Sequence, residues 1–165
     1  MINYNRILDK INPSEGLNSD LFRFVSALTP LLNVDLLVKN NDDQTLLIWR
    51  DDEFFGPGWH IPGGIIRYKE LIKHRIFKVL ESEMNIKKIK RISELMLINE
   101  YISRKKVRGH GISLLFRCDI YQKDTKKFRI FKPGEKIRYV SCQAFWHNSC
   151  PTNLIKEQEC FSEFI

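Results

Sequence analysis

None of the four cysteines (Cys118, Cys142, Cys150, Cys160) belongs to a CxxC pair, and none stands at a zinc-like spacing from a histidine. Reduced thiols are therefore expected rather than a zinc site or a disulfide framework. No apolar run approaches the roughly 18 to 20 residues that a bilayer crossing needs. The opening Met1-Ile-Asn-Tyr-Asn-Arg6 lacks the charged-then-apolar order of a secretory signal, so a soluble cytoplasmic protein is the expectation, with no membrane partner. Internal repeats, low-complexity tracts and linkers are also missing. The 165 residues thus read as a single domain over 1–165. Exposed aromatic motifs of the kind RNA-binding modules carry are absent too, so a nucleic-acid partner has only the charge in its favour.

What is present is a globular composition, 43% hydrophobic and 12% aromatic, with a net charge of +7. That charge favours anionic partners. Part of it lies in two clusters, Lys87-Lys88-Ile-Lys90-Arg91 and Arg104-Lys105-Lys106-Val-Arg108, each read as a solvated face or loop.

Hydrophobic periodicity and turn residues predict the elements. A helix over 18–29 is capped by Asn18, Ser19 or Asp20 and ended by Pro30. Strands at 33–39 and 45–50 flank a polar turn as a hairpin, and a short extended piece follows at 59–61. The stretch 70–84 has no internal glycine or proline and reads as the longest helix. Strands follow at 91–103, 111–121 and 138–147, then a closing amphipathic helix over 152–164 capped by Thr152. One mixed sheet sandwiched between helices, an α/β (α+β) architecture, fits this order.

The run Gly58-Trp-His-Ile-Pro62-Gly63-Gly64, followed by Glu70, resembles the Nudix hydrolase family. In the family's box Gly64 and Glu70 stand at the required spacing. Lys78 falls at the arginine position, Val79 at the first glutamate, Ser82 and Glu83 at the glutamate pair, and Asn85 at the last glycine. The physical logic is a loop–helix–loop around a cation-bound diphosphate. Glycines let the backbone approach, the Gly63 carbonyl can itself be a ligand, and carboxylates on one helix face share a hard cation. The resemblance implies Mg2+ held by Gly63 and Glu83, with Glu81 pointing away into solvent. A scaffold that keeps turn and helix for folding alone is the competing reading.

The losses at Val79 and Ser82 are similar to those of the GDP-mannose mannosyl hydrolase branch of the family, which cleaves the sugar C1–O bond with one Mg2+. The likeness extends over roughly 18–120. By it, Arg50 binds the diphosphate as a planar fork, and Asp35 and His110 are catalytic residues near the leaving group or sugar. The residues themselves leave other readings open: Asp35 pairing a nearby cation, Arg50 a strand-end charge, His110 a loop histidine. The branch's general base falls here on Ile137 or Ser141, neither able to serve, with Glu135 or His147 as substitutes. His60 and His74 read as structural or exposed. The resemblance implies hydrolysis of a nucleotide-sugar and a homodimer formed through residues 1–30, where Leu21, Phe22 and Phe24 supply an apolar helix. An ordinary Nudix pyrophosphatase and a silent nucleotide-sugar-binding module are the alternatives.

Overall fold

The computed structural model describes residues 11–52, 56–132, 134 and 143–165. Helix α1 (Ser19–Ser26) starts where its cap dictates, because Asn18 Oδ1 accepts the Leu21 N–H at 3.0 Å. It ends three residues earlier than expected, and turn residues lead into Pro30.

Strand β1 (Leu31–Lys39) is the centre of an eight-stranded sheet. Along its whole length it runs parallel to β7 (His110–Ile120), from Leu31 opposite Gly111 to Lys39 opposite Asp119. The expected hairpin is barely one. Strand β2 (Thr45–Arg50) meets β1 only at Lys39–Thr45, and β4 (Gly63–Ile65) takes the place beside β1 that a hairpin partner would occupy. Strand β2 pairs instead with β3 (Gly58–His60) and β8 (Gln143–His147). The expected strand 91–103 is two, β5 (Ile89–Ile92) and β6 (Leu97–Ile102), both on β7. They are interrupted where Ser93 Oγ accepts the Arg117 N–H at 2.9 Å, a side chain taking over a ladder bond.

Both faces of the central pair are covered, which is why β1 reads as an almost unbroken apolar run. On one face Val34, Leu36, Val38, Leu114 and Phe116 pack against Ile76, Val79, Leu80 and Met84 of helix α2 (Ile72–Met84). That helix stops at Asn85, whose φ of +51 places it in the left-handed region. Asn85 and Ile86 donate back to Glu81 and Leu80, so asparagine does here the work of a C-terminal glycine. A one-turn helix, α3 (Gln122–Thr125), follows β7.

On the other face Leu37, Leu47, Trp59, Ile61, Leu115 and Phe145 pack under Leu154 and Phe161 of the C-terminal segment. This segment is not the capped α-helix expected over 152–164. It is a 3-10 helix, Lys156–Phe164, with Ile155 before it and no side-chain cap; packing of Phe161 holds it in place of local propensity. The sandwich itself is as expected. Among the described residues, no helix is long and apolar enough to cross a membrane, and Cys118, Cys150 and Cys160 are unpaired thiols.

His147 packs into this second core, 4.4 Å from the Trp59 ring and stacked on Phe131 at 5.2 Å. Burial pushes its pKa down to about 4, below the value near 6.5 of the unfolded chain. The unfolded state therefore binds this proton more readily, and the stability that depends on neutral His147 is lost as pH falls from about 6.5 to 4. His147→Phe should flatten the melting temperature against pH in that window relative to the wild type. Parallel curves would exclude His147 as the source of any acid sensitivity.

Candidate active site

The run before α2 brings backbone against acid. Gly63 lies opposite Asp35 in the β1–β4 pairing, and a Cβ at Gly63 would fall on the Asp35 carboxylate and the Val34 carbonyl. Only glycine allows this approach. The ladder bonds on either side run from Leu36 N–H to Pro62 and from Ile66 N–H to Leu32. The Gly63 N–H turns instead to the carboxylate of Glu83 on α2. Burial, reinforced by the nearby charge of Asp35 and opposed by Arg50, pushes the Glu83 pKa up to about 7. Its Oε2 is buried with no hydrogen-bond partner.

Asp35 is also buried, and burial raises its pKa to about 6 against hydrogen bonds from Ser113 and Gln158 and the charge of Arg50. Gln158 of the 3-10 helix is the tie that places it. Its Nε2 donates to Asp35 Oδ1 at 2.8 Å and its Oε1 accepts the Ile61 N–H at 2.8 Å. The C-terminal segment thereby braces both the acid and the glycine run.

Asp35 and Gly63 open on a cavity of about 240 Å³ whose walls include Asn33, Arg50, Tyr101, Arg108, Ser113 and Gln158. Arg50, at the end of β2, is held at 2.8 Å by Asp52. His60, read from sequence as structural or exposed, is not exposed: it is buried and lines the same cavity. Burial and then the Arg50 charge drive its pKa down to about 3, so it is a neutral ring there.

Glu70 has a different task. Arg67 N–H, Arg75 and Lys78 converge on it, with Arg75 Nη2 at 2.6 Å and Lys78 Nζ at 3.2 Å. Burial works to raise its pKa, but these bonds outweigh it and hold the carboxyl below its ordinary range. It fixes the loop entering α2.

The structure thus brings Asp35, Arg50, Gly63 and Glu83 together and leaves His110 out. His110 opens β7 with its Nε2 2.8 Å from Glu100 Oε1, and it does not line the cavity. Strand alternation is the reason: Ser113 faces the cavity, so a residue three positions earlier turns to the opposite face. His147 lies in the aromatic core, away from the cavity lining. Glu135, Ile137 and Ser141 fall outside the described residues. Glu81 is exposed, as expected. Sequence reading missed Arg108, Tyr101 and Gln158. Arg108 was hidden in a basic cluster, and no local pattern marks a C-terminal glutamine as the partner of an acid 123 residues away.

Among the described residues no three His, Cys, Asp or Glu side chains form a ready-made cation cage. The donors present nevertheless fit a hard divalent ion that keeps most of its water. They are a buried carboxylate oxygen without a partner on Glu83, the backbone of Gly63 packed directly against the Asp35 carboxylate, and Asp35 itself as a second acid nearby. Mg2+ is commonly held by one or two carboxylates plus substrate phosphates.

No family model matches the chain, and no curated protein matches it significantly. Solved structures do. The chain is similar to a MutT NUDIX hydrolase from Burkholderia pseudomallei, with 18% identity over 83% of this chain and 98% of that one at a TM-score of 0.58. It is also similar to the NUDIX domain of Shewanella oneidensis NrtR complexed with ADP ribose, with 20% identity over 88% and 82% of the two chains and a TM-score of 0.50. A NUDIX hydrolase from Nitrosomonas europaea shares 15% identity over 72% of each chain at a TM-score of 0.52. What such distant likenesses share is architecture, and together with the branched eight-stranded sheet and the Gly64–Ile86 loop–helix–loop they show that the chain has the Nudix fold.

Proposed function

We propose that the protein is a Mg2+-dependent hydrolase of a nucleoside diphosphate linked to a second moiety, and that the substrate is a nucleotide-sugar of the GDP-mannose kind. The observation that supports this best is that Arg50, Asp35 and Gly63 share one small cavity, with the Glu83 carboxylate held behind it on the Gly63 N–H and within electrostatic reach of Arg50 and Asp35. A cation and a diphosphate are the ligands whose charges suit that set. Solved structures with the same fold carry hydrolase names, and one holds ADP ribose.

Gly63 and Glu83 would hold Mg2+, which when bound neutralises phosphate charge and eases departure of the leaving group. Arg50 grips phosphate oxygens as a planar fork. Asp35, fixed by Gln158 and Ser113, would take the proton of an attacking water. For a sugar substrate, the water oxygen bonds to C1 and the C1–O bond breaks. The nucleoside diphosphate leaves with the electron pair, and the water proton passes to Asp35. The losses at Val79 and Ser82 support this C–O reading, since fewer carboxylates suit fewer metal ions. Exposed Phe24 on α1 supports a homodimer through the N-terminal region.

Hydrolysis of GDP-mannose and ADP-ribose in 18O-labelled water, read by phosphorus NMR and mass spectrometry, tests the reaction. Label in the free sugar with unlabelled nucleoside diphosphate is the expected result. Label in phosphate would mean P–O cleavage, the pyrophosphatase reaction. Ligand-induced thermal stabilisation without turnover would instead make the chain a binding module.

A further inference from the structure

The loop between β6 and β7 points a charge into the cavity that the proposed reaction does not yet use. Arg108 has a φ of +55, a left-handed conformation that costs a non-glycine residue roughly 1 kcal/mol and that tends to persist at ligand clamps. The next residue locks it in place. A Cβ on Gly109 would run into the Lys105 carbonyl, and Gly109 O accepts the Ser103 N–H at 2.7 Å. The chain thus turns back tightly into β7. Arg104, Lys105 and Lys106 stay exposed, whereas Arg108 is half-buried and lines the cavity with Arg50.

Its guanidinium carbon lies 5.8 Å from the Phe22 ring centroid of α1, so the side chain is steadied from the side. Burial makes its protonated form less favourable; the Tyr101 phenol opposes this, the nearby Arg50 charge adds to it, and the Asp52 carboxylate that pairs with Arg50 offsets it in part. Two like charges directed into one partly desolvated space disfavour each other, and a bound anion relieves that cost. The cavity, about 240 Å³, is smaller than the roughly 300 to 1,000 Å³ of pockets that enclose a whole small ligand. It suits the phosphates, with the groups at either end emerging.

We infer that Arg108 is a specificity-determining residue that grips the second phosphate of the substrate while Arg50 grips the first, so that the site selects a diphosphate over a monophosphate. This rests on the diphosphate reading proposed above. Two guanidinium forks on separate elements, the end of β2 and the β6–β7 loop, can hold two tetrahedral groups at once.

The experiment is titration calorimetry with GDP and ADP against GMP and AMP, in Mg2+, on the wild type, Arg108→Gly and Arg108→Lys. Glycine adopts a positive φ freely, so Arg108→Gly removes the fork without straining the loop. The expected result is a loss of about ten- to a hundredfold in diphosphate affinity, with monophosphate affinity changed by about threefold or less. Lysine should restore part of the loss, as a point charge without the fork. Equal effects on both nucleotide classes would overturn the inference, as would unchanged affinities with a lowered melting temperature, which would make Arg108 a staple for α1 through Phe22. A wild type that binds neither class would defeat the diphosphate reading itself, and the assignment of Arg108 with it.

Discussion

Glu83→Gln should lower turnover by several kcal/mol of barrier, on the order of a thousandfold, and at the same time make the metal-free protein more stable. The two effects have one origin. Glu83 is a half-buried carboxylate near another, Asp35, with one oxygen buried and lacking any partner. That is a poor arrangement for a folded chain and a good one for a cation. Its pKa is raised to about 7, from an ordinary value near 4.5, so the folded state holds this proton more tightly than the unfolded chain. Stability is therefore lost as pH rises from about 4.5 to 7. Glutamine keeps the shape and removes the charge.

Melting curves in EDTA across that pH range should converge for the two proteins at the acid end and separate toward pH 8, with the variant higher. Comparing the pair cancels the opposite slope contributed by His60 and His147. Mg2+ should raise the wild-type melting temperature and leave the variant nearly unmoved. A variant that loses stability in EDTA while keeping its Mg2+ response would show that Glu83 is structural and would remove the proposed metal site.

The second large effect concerns the glutamate that the box lacks. Val79→Glu should destabilise the metal-free protein by about 3 kcal/mol or more. Val79 is only 3% exposed, in the core that α2 forms with β1. Its Cγ2 stands so close under Gly64 that even a methyl group there would press on it. A carboxylate at this position enters a filled space next to Glu83, one helical turn away and on the same face. Mg2+ should recover part of the loss by answering both charges. Ser82→Glu is the control, because Ser82 is exposed and the change should fall within about 0.5 kcal/mol. Urea melts in EDTA and in Mg2+ provide both readings. A Val79→Glu protein as stable as the wild type in EDTA would mean that α2 is not packed as described.

These two positions show how an absence in the sequence acquires a meaning. Read as a string, Val79 and Ser82 are both missing glutamates. In the fold one is core and the other is surface, so the first loss is built into the packing and the second is freely reversible.

The chain by itself determined the loop–helix–loop and the alternation of its strands, because those follow from local rules. Glycine spacing before Glu70, a 3.6-residue apolar period over α2, and a helix end near Met84 can all be read within a few residues. Glu83 was visible as a motif position, and Asp35 only through the wider resemblance outside the box. Pairing partners were not. The hairpin expected between β1 and β2 gave way to β4 because a strand's neighbour is chosen by which buried surface it completes, not by which strand comes next.

Tertiary structure alone decided that His110 faces away from Asp35 while Ser113 faces toward it, a matter of strand parity once register is set. It also turned Arg108 inward from a basic run and brought Gln158 from the far end of the chain to hold Asp35. Such contacts leave no periodic trace, because each depends on a single side chain meeting a distant element. Sequence could name the acids and the glycines; only folding could say which of them share a cavity, and that follows from the desolvation and close approach that a packed interior imposes on them.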